Sequence, residues 1–581
     1  MQERSRAEAN GSILARNRKA KRKFWLKTLL KAIVMEIKSF FVCLVLLWSA
    51  AAPAILEAQQ SCESLTAVRL DHAQVLSAAN IPAAPLKTPP ASPFPLPAVT
   101  VPAHCEVKAV ARPSADSEIQ FEIWLPPASA WNGKFVQHGN GGWAGGIPTW
   151  ALVTPLIRGY AAAATDDGHT AKSPMPDASW AIGHPEKLID FGYRAVHETF
   201  VQSMAILYAY YGKSQTRSYF VGCSDGGREA LMEAERFPQD FDGIIAGAPA
   251  NNWVRLFTGF VWNELALHAT PQSAVPASKL PLIQKAALAK CDALDGVKDG
   301  LIEDPRLCHF DPVTLLCSGA DAQNCLTAAQ VETVKKIQTG PVLPGSGEQI
   351  FPGYEPGTAA YPGDWGLWIL GPAQPAFGNT FFGQAVHEDP NWDWHSFNLE
   401  SDLKLAQEKA SPVLDSTNPD LRSFRDRGGK LIQYHGWGDA AIAPRDSIAF
   451  YEKVQKFLRQ YPDARADASK PVEDFYRLFM VPGMGHCALG PGPVHFGNDD
   501  AVDASLYPQD ADHDVFLSLD RWATQGVAPE QIIGTGRMDT NPEDPSKGTP
   551  MTRPLCSYPK VAHYKGHGET NDSANFICLE K

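Results

Sequence analysis

The chain has no surplus of basic charge. Its 52 Lys and Arg are outnumbered by 64 Asp and Glu, for a formal net charge of −12 at pH 7. That excludes the positive footprint by which proteins hold nucleic acid. None of the 11 cysteines forms a C-x-x-C pair, so the short-spaced zinc and thioredoxin-like sites are excluded too. No internal repeat is present, which removes solenoids and propellers. The apolar stretch 40–48 is short for a membrane span. Between Leu307 and Leu421 there is no Arg, and the Lys residues there are Lys335, Lys336, Lys404 and Lys409.

What is there suits a globular protein: 581 residues, 44% hydrophobic and 20% charged, long enough for two domains or one large domain with an insertion. The 15 Trp and 47 Pro suggest a loop-rich, aromatic-lined molecule. At the N-terminus Arg16, Arg18, Lys19, Lys21, Arg22 and Lys23 precede the apolar stretch 40–48 and small residues 49–54. This pattern predicts a secretory signal cleaved near Ala54 or Ala58, with a retained anchor as the alternative. Met35 could itself begin a compact signal, making the first 34 residues an artefact of the gene start. Cys43 would leave with the signal. The even number of cysteines that remain predicts five disulfides in a secreted or periplasmic protein.

Residues 81–102 are Pro-rich and should be extended. Strand patterns follow at 119–125, 134–137, 160–164, 218–221 and 243–249. Helical patterns fall at 192–211 and 228–237. Strands alternating with helices predict an α/β fold, a mostly parallel sheet with helices on both faces. After about 252 the rhythm stops, giving way to Cys pairs, Pro/Gly loops and aromatics. It resumes with helix 421–426, strand 430–434, helix 446–458 and strand 476–481. The reading is therefore a signal segment (1–58), a first part of the core (59–252), an inserted lid (253–419) and a second part of the core (420–581). The tail, 553–578, reads as loop held by cysteines.

The chain is organised around Gly222-Cys223-Ser224-Asp225-Gly226. G-x-S-x-G between a strand and a helix is the nucleophile elbow; an ordinary Gly-rich turn is the bland reading. A Ser hydroxyl needs a base to take its proton and an acid to orient that base. On such a sheet these follow the Ser in the order acid, then His. Asp439 ends the strand 430–434, with Asp446 as its rival, and His486 follows the strand 476–481 between shaping glycines. If Ser224 and His486 are within hydrogen-bond reach, Cys223 and Cys487 are close enough to bridge.

The set Cys223-Ser224, Asp439, His486-Cys487 resembles the arrangement of the tannase and feruloyl esterase family. Gly222 to Arg228, Phe241-Asp242-Gly243-Ile244, Tyr434-His435-Gly436-Trp437 and Arg553-Pro554-Leu555-Cys556 look like its motifs. The resemblance implies an α/β-hydrolase core with a large inserted lid, and ester hydrolysis through an acyl-enzyme. Two backbone amides should then face the developing oxyanion, those of Asp225 and Gly142, with Gly141 as the alternative to the latter. Asp292, Asp295 and Asp299 crowd three carboxylates into eight residues. Either they form a solvated acidic turn or they hold a hard cation. The resemblance implies structural Ca2+ far from the ester, with the carbonyls of Val297 and Leu301 joining the three Asp. The remaining cysteines pair most simply by neighbourhood: Cys62 with Cys105, Cys291 with Cys308, Cys317 with Cys325, Cys556 with Cys578.

The leading expectation is a secreted serine carboxylic ester hydrolase acting on a small aromatic ester, with no nucleic-acid partner and no membrane after signal cleavage. A catalytically silent calcium-dependent binding protein and a peptidase are the alternatives. Trp365, Trp368, Phe377, Phe381 and Phe382 are the candidates to stack on the acyl ring, though each could instead be packing core. A terephthalate monoester would want an Arg fork. With no Arg between Leu307 and Leu421, an uncharged galloyl or feruloyl group is expected instead.

Overall fold

Side chains on a strand point to opposite faces in turn. In the central strands both faces are apolar. Phe135, Phe220, Ile244, Leu431 and Leu478 join one buried cluster, while Val136, Tyr219, Ile245, Ile432 and Phe479 join another. A sheet apolar on both sides must be covered on both. The computed structural model, described for residues 60–86, 99–173, 175–361, 363–461, 472–498, 506–538 and 548–580, shows that arrangement. The sequence calls on the signal segment, its cleavage site and residues 87–98 of the Pro-rich stretch lie outside the described residues.

The central sheet has nine strands: β1 (Ala73–Ile81), β2 (His104–Ala111), β3 (Ile119–Leu125), β4 (Lys134–His138), β5 (Ala161–Thr165), β6 (Arg217–Cys223), β7 (Gly243–Gly247), β8 (Lys430–Gly436) and β9 (Tyr476–Val481). Their spatial order is β1-β2-β3-β5-β4-β6-β7-β8-β9. The first three strands and β5 pair antiparallel. From β5 through β9 every pairing is parallel. Helices Ala195–Tyr211, Asp225–Arg236 and Arg445–Gln460 cover one face, and helix Val515–Gln525 covers the other. This is the α/β-hydrolase fold.

The strands expected from the sequence are present with ends moved by one or two residues, and helix Ala195–Tyr211 begins after a π-helical turn, Asp190–Arg194. Strands β1 and β2 extend the sheet beyond the expected set. The tail is not loop. Strand Gln531–Met538 pairs with Thr549–Cys556, and Val561–Tyr564 pairs with Phe576–Leu579. Pro550 and Pro554 concealed the first ribbon because proline reads as a strand breaker. In a two-stranded ribbon a Pro needs only to face the unpaired edge.

No strand of the central sheet falls between Gly247 and Lys430. That stretch supplies helices Trp253–Leu267, Leu280–Cys291, Ala328–Thr339 and Leu399–Lys409. They bury an apolar cluster of their own around Trp253, Phe257, Ile337, Trp365, Phe381 and Phe382. By its contacts Gln59–Lys581 is one compact unit. All five disulfides form with the expected partners: Cys62–Cys105, Cys223–Cys487, Cys291–Cys308, Cys317–Cys325 and Cys556–Cys578.

The strand-to-helix turn at Ser224 has little room. A Cβ on Gly227 would sit 2.3 Å from Gly247 O and 2.8 Å from Pro249 Cα. Those are backbone atoms and cannot swing aside. Gly227→Ala is therefore expected to destabilise the fold by about 3 kcal/mol or more, read as a lowered Tm, whereas alanine at Gly141, which meets nothing within 4 Å, should leave Tm within a degree or two. Equal melting of the two variants would contradict this packing.

Candidate active site

Each motif residue sits just beyond the carboxyl end of a parallel strand, where ligands bind on open α/β sheets. Ser224 follows β6, Asp439 follows β8, His486 follows β9, and the loop 139–142 follows β4. Ser224 has φ 67° and ψ −120°, a region that a residue with a Cβ enters only when its surroundings force it. Its N–H donates to Gly247 O at 3.0 Å, and its carbonyl accepts from Arg228 N at 3.1 Å and Ala250 N at 3.0 Å. The turn closes tightly because a Cβ on Gly222 would meet Gly226 O at 2.5 Å, and one on Gly226 would meet Asn140 O at 2.8 Å. The helix that follows starts at Asp225, three residues earlier than the sequence pattern indicated. Ser224 therefore stands at its positive end.

The structure brings the three polar groups together. Ser224 Oγ donates to His486 Nε2 at 2.9 Å, and His486 Nδ1 donates to Asp439 Oδ2 at 2.8 Å. Asp446 is elsewhere, accepting from Asn252 Nδ2 at 3.2 Å. Asp439 Oδ1 accepts from the amides of Ala441 and Ile442, each at 2.8 Å. Burial alone would raise the Asp439 carboxyl. His486 and His435 outweigh it and hold the group well below the usual carboxylate range. The loop that presents the imidazole is crossed by the Cys223–Cys487 disulfide, which joins the neighbours of Ser224 and His486. Trp368 packs edge-on against the His486 ring, centroids 5.2 Å apart.

His435 was quoted in the sequence only as part of a motif. The structure gives it a partner in the site. Its Nε2 donates towards Asp439 Oδ2 and Ile442 O, both at 3.1 Å, and its Nδ1 accepts from Ser447 Oγ at 2.7 Å. Ser447 Oγ accepts from Gln433 Nε2 at 2.6 Å, and Gln433 Oε1 accepts from Tyr476 OH. This buried chain fixes the His435 tautomer with its proton on Nε2. A histidine near the end of a buried strand, four residues before the candidate acid, is the signal that could have found it.

A narrow cavity of about 30 Å³ lies over Ser224. It is lined by Gly142, Ser224, Asp225, Ala250, Trp253, Leu256, Phe257, Phe260, Trp368, Phe377, Ala441 and Ile442. Of the five aromatic candidates it reaches Trp368 and Phe377. Trp365, Phe381 and Phe382 are instead fully buried in the apolar cluster of 253–419. Trp253, Leu256, Phe257 and Phe260, on a helix not singled out in the sequence, supply the opposite wall. Asp225 and Gly142 both line this space. Gly141 borders only a neighbouring cavity of about 300 Å³, which Gly142 and Phe377 also line and which reaches Trp143, His169, Asp177 and Leu367. No Lys or Arg lines the cavity over Ser224.

The acidic loop is closed on itself. Asp292 Oδ1 accepts from Asp299 N at 3.2 Å and Gly300 N at 3.1 Å, and Asp295 Oδ1 accepts from Val297 N at 2.9 Å. Asp299 Oδ2 pairs with the buried Arg553. Asp295 Oδ2 is buried with no partner. Burial first, then the charge of Asp299, pushes the Asp295 carboxyl up to about 6. The loop is nearer the site than the sequence suggested: a Cβ on Gly483, three residues before His486, would meet Leu301 Cδ2 at 2.5 Å. Among the described residues, the acidic groups whose oxygens converge within 4.8 Å are others, Asp167, Asp225 and Glu229 beneath Ser224.

With that geometry in hand, comparison with known proteins is informative. A family model for tannase and feruloyl esterase matches residues 105–579. An uncharacterised esterase of Xanthomonas campestris pv. campestris is 42% identical over 547 residues, 90% of this chain and 92% of that one. The probable feruloyl esterase B-2 of Aspergillus terreus is 31% identical over 484 residues, 82% and 86% of the two chains. Among solved structures, feruloyl esterase B from Aspergillus oryzae superposes with a TM-score of 0.78 at 29% identity, covering 90% of this chain and 100% of that one.

His435 yields a test of the buried chain behind Asp439. Without its N–H, the Asp439 carboxylate loses a donor that fixes its orientation, which misplaces the imidazole for proton transfer, while the less satisfied carboxylate attracts an imidazolium more strongly. His435→Leu is expected to lower kcat for an ester roughly 10- to 100-fold, the worth of a hydrogen bond to a charged group. The acid limb of the pH profile should move to higher pH. His435→Gln, which keeps a donor, should recover most of the loss. Unchanged kcat and profile in His435→Leu would remove His435 from the site.

Proposed function

The chain belongs to the tannase and feruloyl esterase family and is a carboxylic ester hydrolase; on that premise we propose that it is a secreted serine esterase that cleaves aromatic phenolic esters, galloyl or feruloyl, through an acyl-enzyme. The observation that carries the mechanism is the chain of hydrogen bonds from Ser224 Oγ through His486 to Asp439. Ser224 Oγ attacks the ester carbonyl carbon while His486 Nε2 takes its proton. Asp439 orients the ring and balances the imidazolium. The carbonyl oxygen becomes an oxyanion held by the Asp225 and Gly142 amides. As the tetrahedral centre collapses, the C–O bond to the alcohol breaks and His486 returns its proton to the leaving alkoxide. Water, deprotonated by the same imidazole, then attacks the acyl-enzyme, and Ser224 and the carboxylic acid are released.

The specificity rests on the walls. Phe257, Phe260, Trp368 and Phe377 form an apolar slot suited to a flat ring, which enters as these side chains part. The absence of any cation there favours an uncharged acyl group. The nearest guanidinium, Arg228, lies behind Trp253 and is saturated by Asp225 and the carbonyls of Phe191 and Gly192. The five disulfides support export, and among the described residues no helix is long and apolar enough to cross a membrane.

The test is a substrate series. Methyl gallate or methyl ferulate is expected to be hydrolysed with a higher kcat/KM than mono(2-hydroxyethyl) terephthalate, and Ser224→Ala should lose several orders of magnitude on all of them. A preference for the terephthalate ester would overturn the use made of the missing cation, and an active Ser224→Ala would overturn the mechanism.

We also propose a calcium ion of structural role at the acidic loop, whose carboxylates would draw together to hold it. Asp292, Asp295 and Asp299 would hold it with the carbonyls of Val297 and Leu301. The unpartnered, buried Asp295 Oδ2 is the atom that wants a cation. Bound there, Ca2+ would neutralise the carboxylates and fix the loop that packs on Gly483. A chelator is then expected to lower Tm, since metal held only by the folded state stabilises it by mass action. Activity well below Tm should persist. An unchanged melting curve would argue against calcium.

A further inference from the structure

Beneath the loop that carries Gly142, three carboxylates are buried with one cation. Asp167, Asp225 and Glu229 are each at most 1% exposed, and an oxygen of each lies within 4.8 Å of the others. The cation is Arg228, itself 0% exposed. It is fully used by Asp225 Oδ1 and by the carbonyls of Gly192 and Phe191. Three ionised carboxylates facing one guanidinium in a dry interior would leave uncompensated charge that such a site does not tolerate. Two oxygens of Asp167 and Glu229, Oδ1 and Oε1, are buried without a partner, as is Asp225 Oδ2. The other two oxygens of this pair grip a single residue. Glu229 Oε2 accepts from Asn140 N at 2.9 Å, and Asp167 Oδ2 accepts from Asn140 Nδ2 at 3.0 Å. Asn140 is also held through its carbonyl, which accepts from Gly226 N at 2.7 Å, and through Nδ2 to Thr165 O at 2.7 Å. Gly142 is two residues further on.

We propose that Asp167 and Glu229 share one proton, and that this pair, left with a single negative charge, acts as a positioning clamp which, through Asn140, holds the Gly142 amide where the oxyanion forms. The shared proton joins the two orphaned oxygens, so each finds its partner in the other. Both remaining oxygens stay free to accept from Asn140. Neither residue touches substrate. The clamp rests on the reading of Gly142 as an oxyanion donor.

The surroundings support a proton held well above the ordinary carboxyl range. Burial first, then the charge and hydrogen bond of Glu229, holds the Asp167 carboxyl well above its ordinary range. The groups facing the pair are Asp225 and Arg228 on the elbow helix, Glu233 one turn on with Asp240 behind it, and His169 on the loop of Asp167 itself. Arg228 alone carries positive charge in that set, because burial keeps His169 neutral, its imidazole pushed down to about 4. The charge of Arg228 favours losing the proton, but burial and the neighbouring carboxylates outweigh it. A carboxyl whose acid form is favoured by folding adds stability below the pKa of the unfolded group, roughly 4. It loses that stability as pH rises through its folded value. Raising the pH should therefore loosen the clamp.

The experiment compares Glu229→Gln with Glu229→Ala in the full chain, using methyl ferulate or p-nitrophenyl acetate. The glutamine reproduces the singly charged, hydrogen-bonded pair at every pH, with an oxygen for Asn140 N and an N–H for Asp167. The alanine releases the loop. Glu229→Ala is expected to lower kcat at least tenfold with KM changed less than threefold, and Glu229→Gln to recover most of that loss. Wild type should lose Tm and kcat on the alkaline side more steeply than Glu229→Gln does. The Tm profile does not depend on the reaction, so a failure there counts against the pair and not against the esterase reading. If Glu229→Gln falls as far as Glu229→Ala, or if its alkaline loss of Tm matches wild type, the shared proton is overturned. If Glu229→Ala folds and keeps wild-type kcat, the clamp is overturned.

Discussion

The site depends on a crossing in which backbones pass closer than side chains would permit. The end of β6, the first turn of the elbow helix, the end of β7 and the loop after β4 meet at Ser224. Gly139, Gly222, Gly226 and Gly227 each sit where a Cβ would overlap main-chain atoms of a neighbouring segment. That closeness brings Asp225 and Gly142 to the same cavity over Ser224. It also forces Ser224 into its strained φ. The strain is sustained by the hydrogen bonds on both sides of the residue, from β7 and from the elbow helix. A flexible glycine-rich turn would place the same atoms with no such precision.

A second constraint acts across the sequence. Cys223 and Cys487 are 264 residues apart yet adjacent in space. In the chain-entropy picture, closing a loop of that length removes about 5 kcal/mol of freedom from the unfolded chain. Its position has a local effect as well. The His486 loop contains positive φ at Gly483, Cys487 and Leu489, so it is poorly determined by its own sequence. It is held from outside, by the bridge, by Trp368 against the ring and by the contact of Leu301 with Gly483. The acidic loop and the segment 253–419 thus take part in placing the base, although neither carries the chemistry.

Much of this was legible in the sequence because local signals and the global fold agreed. Strands such as 119–125 and 430–434 are apolar with period two, and the glycines of the elbow stand where only glycine fits. The ordering Ser224, Asp439, His486 required only that each follow a strand. The misses share one cause. Proline in Thr549–Cys556 argued against a strand that pairs along one side only. Trp365, Phe381 and Phe382 looked like cavity walls because aromatic character does not reveal which way a side chain faces. They point into the core of 253–419, while Leu256, Phe257 and Phe260 on helix Trp253–Leu267 turn towards Ser224. His435 and the pair Asp167 and Glu229 escaped notice because their roles are set by partners far away in sequence.

The charges around Ser224 are arranged so that each buried ion already has its partners. Asp439 accepts from two imidazoles and two amides. Arg228 has Asp225 and two carbonyls. The proposed shared proton removes one of the two charges that Asp167 and Glu229 would otherwise place beneath the oxyanion loop. In so dry a setting an unpaired carboxylate under Gly142 would repel an oxyanion forming above it, since Coulomb interactions are weakly screened there. On the proposed mechanism, the charge that develops in the transition state then meets donors aimed at it, while the single charge left on the pair is engaged by Asn140. The same logic bears on substrate choice. A slot with no cation, over a site whose only guanidinium is fully committed, has nothing to offset a carboxylate on the acyl ring but can bury an uncharged ring against Trp368 and Phe377.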